Sequence, residues 1–313
     1  MVKSRTFSAT GIQIIGNQIL GLVFFLLLAL HLDKNTFGEL NWATAVSYTV
    51  TVIFTFGFDH VVIRRIAAGG NSHTIAGTYL AHCLVFAVTG FLLMAAHRAL
   101  FSGFHEIHYL LWLVFLGTLL SYAASPLKQM ANGKERFWRL AVMNVSANFF
   151  RVIGTSLLIL FVSLDAKTLG LLFLAAGLLE LITCYLVSWL DERRLLLPVF
   201  RLKVYTLMVR EALPSLGAVM LESAFARLDW ILLGLMSTGI ALADYSFAYK
   251  AFDSSRIPLL IIAPVLLPGM ARLHSFRKAD PAAVSRLNRL WQAEAFVSVL
   301  IPLVLGVCWV DLV

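Results

Sequence analysis

The chain has 313 residues, of which 60% are hydrophobic and 13% charged, with mean hydropathy +0.85 and net charge +8. Soluble domains carry about 25% charged residues, so the composition excludes a soluble globular protein or one held by a single anchor and describes an all-α polytopic membrane protein. Cys83, Cys184 and Cys308 lie far apart in apolar runs with no CxxC spacing, which implies neither a zinc site nor a disulfide framework.

Apolar stretches of the ~20 residues that span a bilayer fall at 11–32, 40–62, 74–96, 109–131, 138–163, 168–190, 212–237, 241–270 and 291–310. They predict about nine transmembrane helices. The first run lacks a small-residue cleavage site and is read as a span rather than a signal peptide. With Lys3 and Arg5 placed in the cytoplasm, the inner loops hold Arg64 and Arg65, the group Lys128 to Arg139, the group Arg193 to Arg210, and the group Arg272 to Arg289. The outer loops hold only Lys34, Arg98 and Lys167. Every inner loop obeys the positive-inside rule, which predicts a multi-pass protein of the cytoplasmic (inner) membrane with its N-terminus inside. Arg151, Arg227, Lys250 and Arg256 are the cations that topology leaves unexplained.

Asp59, near the inner end of the second span, with Arg64 and Arg65 beyond it, is a candidate cytoplasmic gate. In the fifth span Asn144, Asn148 and Arg151 are spaced by four and three and share a helix face. That polar face at membrane depth reads as cavity lining, with interhelical hydrogen bonding as the plain alternative. Asn17 and Gln18 form a smaller version in the first span. Residues 191–211 mix Arg, Lys and apolar residues around Pro198 and read as an amphipathic cytoplasmic linker on the membrane surface.

The linker divides the chain into an N-terminal six-helix lobe (1–190) and a C-terminal lobe (212–313). A shift of 205 positions lays Glu39–Ala43 on Asp244–Ala248. Six helices per unit make the repeat parallel, an arrangement that puts substrate between the halves. The second lobe then has three of six expected helices, which reads as a fragment or a prematurely ended frame.

The stretch from Glu222 to Pro268 concentrates the chemistry. It reads as two spans and a short turn, yet carries Glu222, Arg227, Asp229, Lys250, Asp253 and Arg256. One charge at the bilayer centre costs about 2.5–3.5 kcal/mol, so these side chains are expected to face a polar cavity or one another. Pairing that merely holds the bundle together is the bland reading. Pro258, Pro264 and Pro268 would kink the second helix of the pair. Together with Glu180, the acids Glu222, Asp229 and Asp253 balance the four unexplained cations. They are candidates for pairing or for carrying a coupling proton or sodium ion.

GxxxxGK[ST], HExxH and GxSxG are absent, and the histidines form no ligand cluster. The sequence asks for no metal or cofactor and gives little support to an enzyme.

The order of several motifs resembles polysaccharide (O-antigen-type, Wzx-like) flippases of the multidrug/oligosaccharidyl-lipid/polysaccharide exporter superfamily. The residues are Phe37–Leu40, Phe56–Asp59 and Arg64–Ala67 early on, Asn132–Arg136 in the inner loop, and Arg227–Gly234 followed by Ala243–Lys250. The resemblance implies two lobes around a central cavity that moves a polyprenyl-diphosphate-linked oligosaccharide across the bilayer for O-antigen, capsule or exopolysaccharide assembly, beside a polysaccharide polymerase and other assembly proteins. Such a substrate is anionic at its head, which makes Arg151, Arg227, Lys250 and Arg256 the candidate diphosphate contacts. Two other readings compete. An ion-coupled drug or cation antiporter of the same superfamily would need acids to dominate the cavity. A membrane-embedded polymerase or ligase would need a large outer loop, and the outer loops here are short.

Overall fold

The computed structural model describes residues 4–100 and 106–255, with eight isolated positions between 285 and 303. The described residues form helices and no strand. In chain order these are α1 (Ser4–His31), α2 (Lys34–Thr55), α3 (Phe58–Ala67), α4 (Ser72–Leu100), α5 (Glu106–Ala123), α6 (Ser125–Gly133), α7 (Phe137–Phe161), α8 (Ala166–Glu192), α9 (Leu202–Met236) and α10 (Gly239–Ser255).

Local chemistry sets several of these ends. Asp33 caps α2 by accepting from the Thr36 N–H at 2.9 Å. Asp165 and Thr168 cap each other reciprocally at the start of α8. Both carboxyls lie below the usual carboxylate range, chiefly because backbone N–H groups (Thr36 and Thr168) donate to them.

Six of the predicted spans appear as apolar helices. Gly11–His31, Ser72–Ala96, Tyr109–Gly133, Phe137–Phe161 and Ala166–Glu192 are long and apolar enough to cross a membrane. The bent pair α2–α3 makes the sixth. Their outer faces carry exposed Leu, Val, Ile and Phe, as lipid contact requires. α9 is long enough as well, but carries Glu222, Arg227 and Asp229 along its length. It also begins earlier than expected, so 202–211 is helix and only 193–201 remains an extended connection. The expected final span and the three prolines of the eighth lie outside the described residues, apart from the isolated positions.

The second predicted span is broken. Phe56 (φ 53°) and Gly57 (φ 71°) both take the left-handed conformation, and α3 leaves α2 at 46°. Glycine suits this backbone, and it also suits the neighbourhood. A Cβ on Gly57 would lie 2.9 Å from Ser215 Oγ and 3.2 Å from the Leu216 amide of α9.

Contacts divide the chain into Met1–Ala243 and Asp244–Val313. In the first unit α5 packs on α8, α1 on α7, α7 on α8, and α2 on both α5 and α9. Gly117 and Gly177 set the α5–α8 crossing, where a Cβ on Gly177 would collide with the Gly117 carbonyl. Small residues that let backbones approach are the usual device for packing helices in lipid. The largest buried cluster gathers Phe58, Val62, Tyr79, Leu127, Leu196 and Met208 around α3, at the end bearing Arg64 and Arg65. In the second unit the Tyr245 and Tyr249 rings of α10 lie 6.2 Å apart.

Candidate functional site

The break in α2 opens a cleft against α9. Its walls are Tyr48, Val52, Thr55, Gly57, Asp59 and His60 on one side and Val219, Glu222, Ser223 and Ala226 on the other, around a cavity of about 260 Å³. The cleft exists because the left-handed pair turns α3 aside while α9 continues past the break.

A break in a membrane helix frees backbone groups that must find partners. Here the Phe54 carbonyl has lost its helical donor. Two side chains replace it: His82 Nε2 at 2.8 Å and Tyr122 Oη at 2.8 Å. A carbonyl only accepts, so Nε2 carries the imidazole proton and Nδ1 accepts from the Tyr205 hydroxyl at 3.3 Å. The His82 ring centroid is 4.5 Å from those of both Phe58 and Phe86, and the side chain is buried. His82 thus props the break open from behind.

Asp59 turns towards the same prop. Its Oδ1 accepts from Tyr79 at 2.9 Å and from Ser125 at 2.7 Å. Arg64 and Arg65 find a different carboxylate, Glu211 in the third turn of α9. Arg65 donates to it through Nη2 at 2.6 Å and Nε at 3.1 Å, and Arg64 through Nη2 at 2.7 Å. Those two guanidinium groups, Arg65 first, hold the Glu211 carboxyl down at about 2. The three gate candidates are therefore not one cluster. Two arginines clamp α3 to α9, and the aspartate belongs to the hinge. Glu211 was missed in the sequence because it lies 146 positions from Arg65, in a stretch read as a linker.

Further along the seam, Arg227 of α9 lies over two rings. Its guanidinium carbon is 5.5 Å from the Tyr48 centroid of α2 and 5.1 Å from that of Trp230, both within cation–π reach. Its buried Nε has no hydrogen-bond partner among the described residues. Glu222 lines the cleft. Asp229, half-buried on α9, accepts from the Trp230 amide at 2.9 Å.

A second polar set lies inside the first six spans. Asn148 donates to Asn17 of α1 at 3.2 Å, and Arg151 Nη1 reaches Asn148 Oδ1 at 3.5 Å. The Arg151 guanidinium lies 4.9 Å from the Phe173 centroid of α8, and its Nε too lacks a partner among the described residues. Asn144 is half-buried one turn away. Glu180 is buried, receives the Lys128 ammonium on one oxygen and accepts from the Ser121 hydroxyl on the other. This corrects the topological count, in which Lys128 was an inner-loop cation. It sits within α6 and faces the bundle.

Lys250 is half-buried on α10. Asp253 lies in the last turn of that helix with its side chain outside the described residues, and Arg256 is outside them altogether.

A family model described as polysaccharide biosynthesis protein matches residues 3–274. Comparison with curated proteins found no match. Among solved structures, an inward-facing multidrug resistance MATE family transporter of the MOP superfamily superposes with a TM-score of 0.67 at 13% identity, covering 95% of this chain and 72% of its own. A MATE protein in complex with Br-NRF gives 0.57 at 16% identity, covering 96% and 74%. At these identities the likeness is one of fold.

Proposed function

This chain belongs to the polysaccharide biosynthesis protein family, and from that membership we propose that it is a flippase moving a polyprenyl-diphosphate-linked oligosaccharide from the inner to the outer leaflet by alternating access. The six spans from Gly11 to Glu192 form one lobe, and α9 opens the other. The end bearing Arg64 and Arg65 faces the cytoplasm, and the product passes to a polymerase.

The observation that carries the reading is Arg227 over Tyr48 and Trp230 at the α2–α9 seam. A sugar diphosphate needs a cation with donors to spare and flat apolar faces for its rings. Arg227 has an Nε with no hydrogen-bond partner among the described residues, and a guanidinium binds phosphate oxygens in a bidentate fork. The half-exposed Tyr48 ring lies beside it. The hydroxyls of Thr55 and Ser223 and the carboxylates of Asp59 and Glu222, along the same seam, suit sugar hydroxyls.

The test is reconstitution in vesicles with a short-chain polyprenyl diphosphate carrying a few sugars. Protein-dependent appearance of the glycan to a lectin on the far side supports the reading. A second reading rests on Asp59 and Glu222 lining one cleft, which suits a cation antiporter. Proton- or sodium-driven efflux of a cationic dye, with no glycan movement, would replace the first reading with the second.

A further inference from the structure

The connection between α8 and α9 is an extended strap held by one buried side chain. Leu196 is buried at 2%, while Leu195 and Leu197 on either side are exposed at 58% and 65%. The strap is pinned from beneath. The Val199 N–H donates to the Gly77 carbonyl of α4 at 3.1 Å. Glycine permits this, because a Cβ at position 77 would lie 2.8 Å from the Leu197 carbonyl. Farther along, Phe200 is 59% exposed. Large apolar side chains are thus held outward by a backbone that is itself fixed.

Basic residues flank this apolar stretch, Arg193 and Arg194 before it and Arg201 and Lys203 after it. Five cations at this end of the bundle have carboxylate partners: Lys134 with Glu192, Arg136 and Arg139 with Asp191, and Arg64 and Arg65 with Glu211. Arg194, Arg201 and Lys203 are exposed and have no carboxylate partner among the described residues. Arg193 is also exposed and lies 5.7 Å from the Trp189 ring of α8. The last turns of α8 expose Leu186, Trp189 and Leu190, so the apolar surface of a membrane span runs directly into the strap.

We propose that the strap and the first residues of α9 (Arg193–Lys203) are a binding site for anionic membrane lipid, with the leucines and Phe200 among the upper acyl chains and the arginines and lysine on the phosphates. Charge complementarity and continuity with the lipid-facing surface of α8 select this occupant over a protein. A protein partner would leave the adjoining α8 surface in lipid and its own edge against headgroups. The two functions are separable: the cleft at α2–α9 handles the transported molecule, and the strap holds a resident one.

Native mass spectrometry of protein from mixed micelles with phosphatidylglycerol or phosphatidylcholine tests this. The triple variant R194Q/R201Q/K203Q should retain phosphatidylglycerol about fivefold less per charge removed, with phosphatidylcholine unchanged, while K167Q at the other end retains both. In the wild-type protein phosphatidylglycerol retention should fall as salt rises, a measurement that needs no variant to fold. Equal retention by the triple variant, equal loss in K167Q, or retention indifferent to salt would overturn the proposal. A wild-type dimer that the triple variant dissociates, with lipid retention unchanged, would assign the strap to a second copy and also overturn it.

Discussion

Lys128 of α6 and Glu180 of α8 form an ion pair inside the helical bundle, with Ser121 of α5 donating to the second carboxylate oxygen. Three helices are tied at one carboxylate that is almost entirely buried. Breaking such a pair from one side leaves an uncompensated charge and costs about 3–5 kcal/mol. Glu180→Gln should therefore lower the thermal unfolding midpoint in detergent sharply. A Lys128→Met, Glu180→Leu double variant should regain much of that loss. A single variant as stable as the wild type would show the pair to be solvated.

Glu211 gives the α3–α9 clamp a defined response to acid. Its carboxyl stands at about 2, below the ordinary glutamate value of 4.5, because Arg65 and Arg64 donate to it. A group depressed on folding binds protons more readily when unfolded. The stability it contributes is complete above 4.5 and is lost as pH falls from there through about 2. Across that window the wild type should lose stability more steeply than Glu211→Gln, which has no carboxylate to protonate. Parallel acid profiles for the two proteins would refute the clamp.

Gly57→Ala tests the break in α2. A left-handed backbone costs a residue with a Cβ about 1–3 kcal/mol, and this Cβ would also crowd Ser215 and Leu216. The variant should unfold at lower temperature and lose export. An alanine variant with a wild-type midpoint would mean that the turn relaxes without strain.

Arg227→Ala should insert normally and reduce surface polysaccharide about ten- to a hundredfold, the effect of losing one charge-assisted hydrogen bond of about 1.5–3 kcal/mol. Arg227→Lys should recover only part of it, since an ammonium lacks the planar fork that stacks between rings. Lys250→Ala is expected to behave like Arg227→Ala. Normal polymer at the surface of cells carrying the alanine variants would remove both residues from the substrate path.

The spans were legible because hydropathy and length report directly on a bilayer. The first six predicted runs all lie in helices, two of them (40–62 and 109–131) divided between a pair, and the shared face of Asn148 and Arg151 was marked by spacing alone. The break at Phe56–Gly57 was not legible. Hydropathy continues across 40–62 undisturbed, and a left-handed turn in an apolar run leaves no trace beyond one glycine. Lys128 was misassigned for a related reason. Counting loop cations treats each charge alone, whereas the partner of Lys128 lies 52 positions away. Glu211 escaped in the same way. What sequence reading missed was long-range pairing, the part of the structure that local pattern does not encode.

The substitution of side chains for backbone at the Phe54 carbonyl has a consequence for inheritance. His82 and Tyr122 spend their polar atoms on a vacancy that exists only because α2 stops. A descendant with a continuous helix would fill that vacancy with its own amide and strand both side chains in an apolar interior. One that kept the turn but lost both would leave the oxygen without a donor. Across relatives, positions 57, 82 and 122 should therefore change together or stay fixed together.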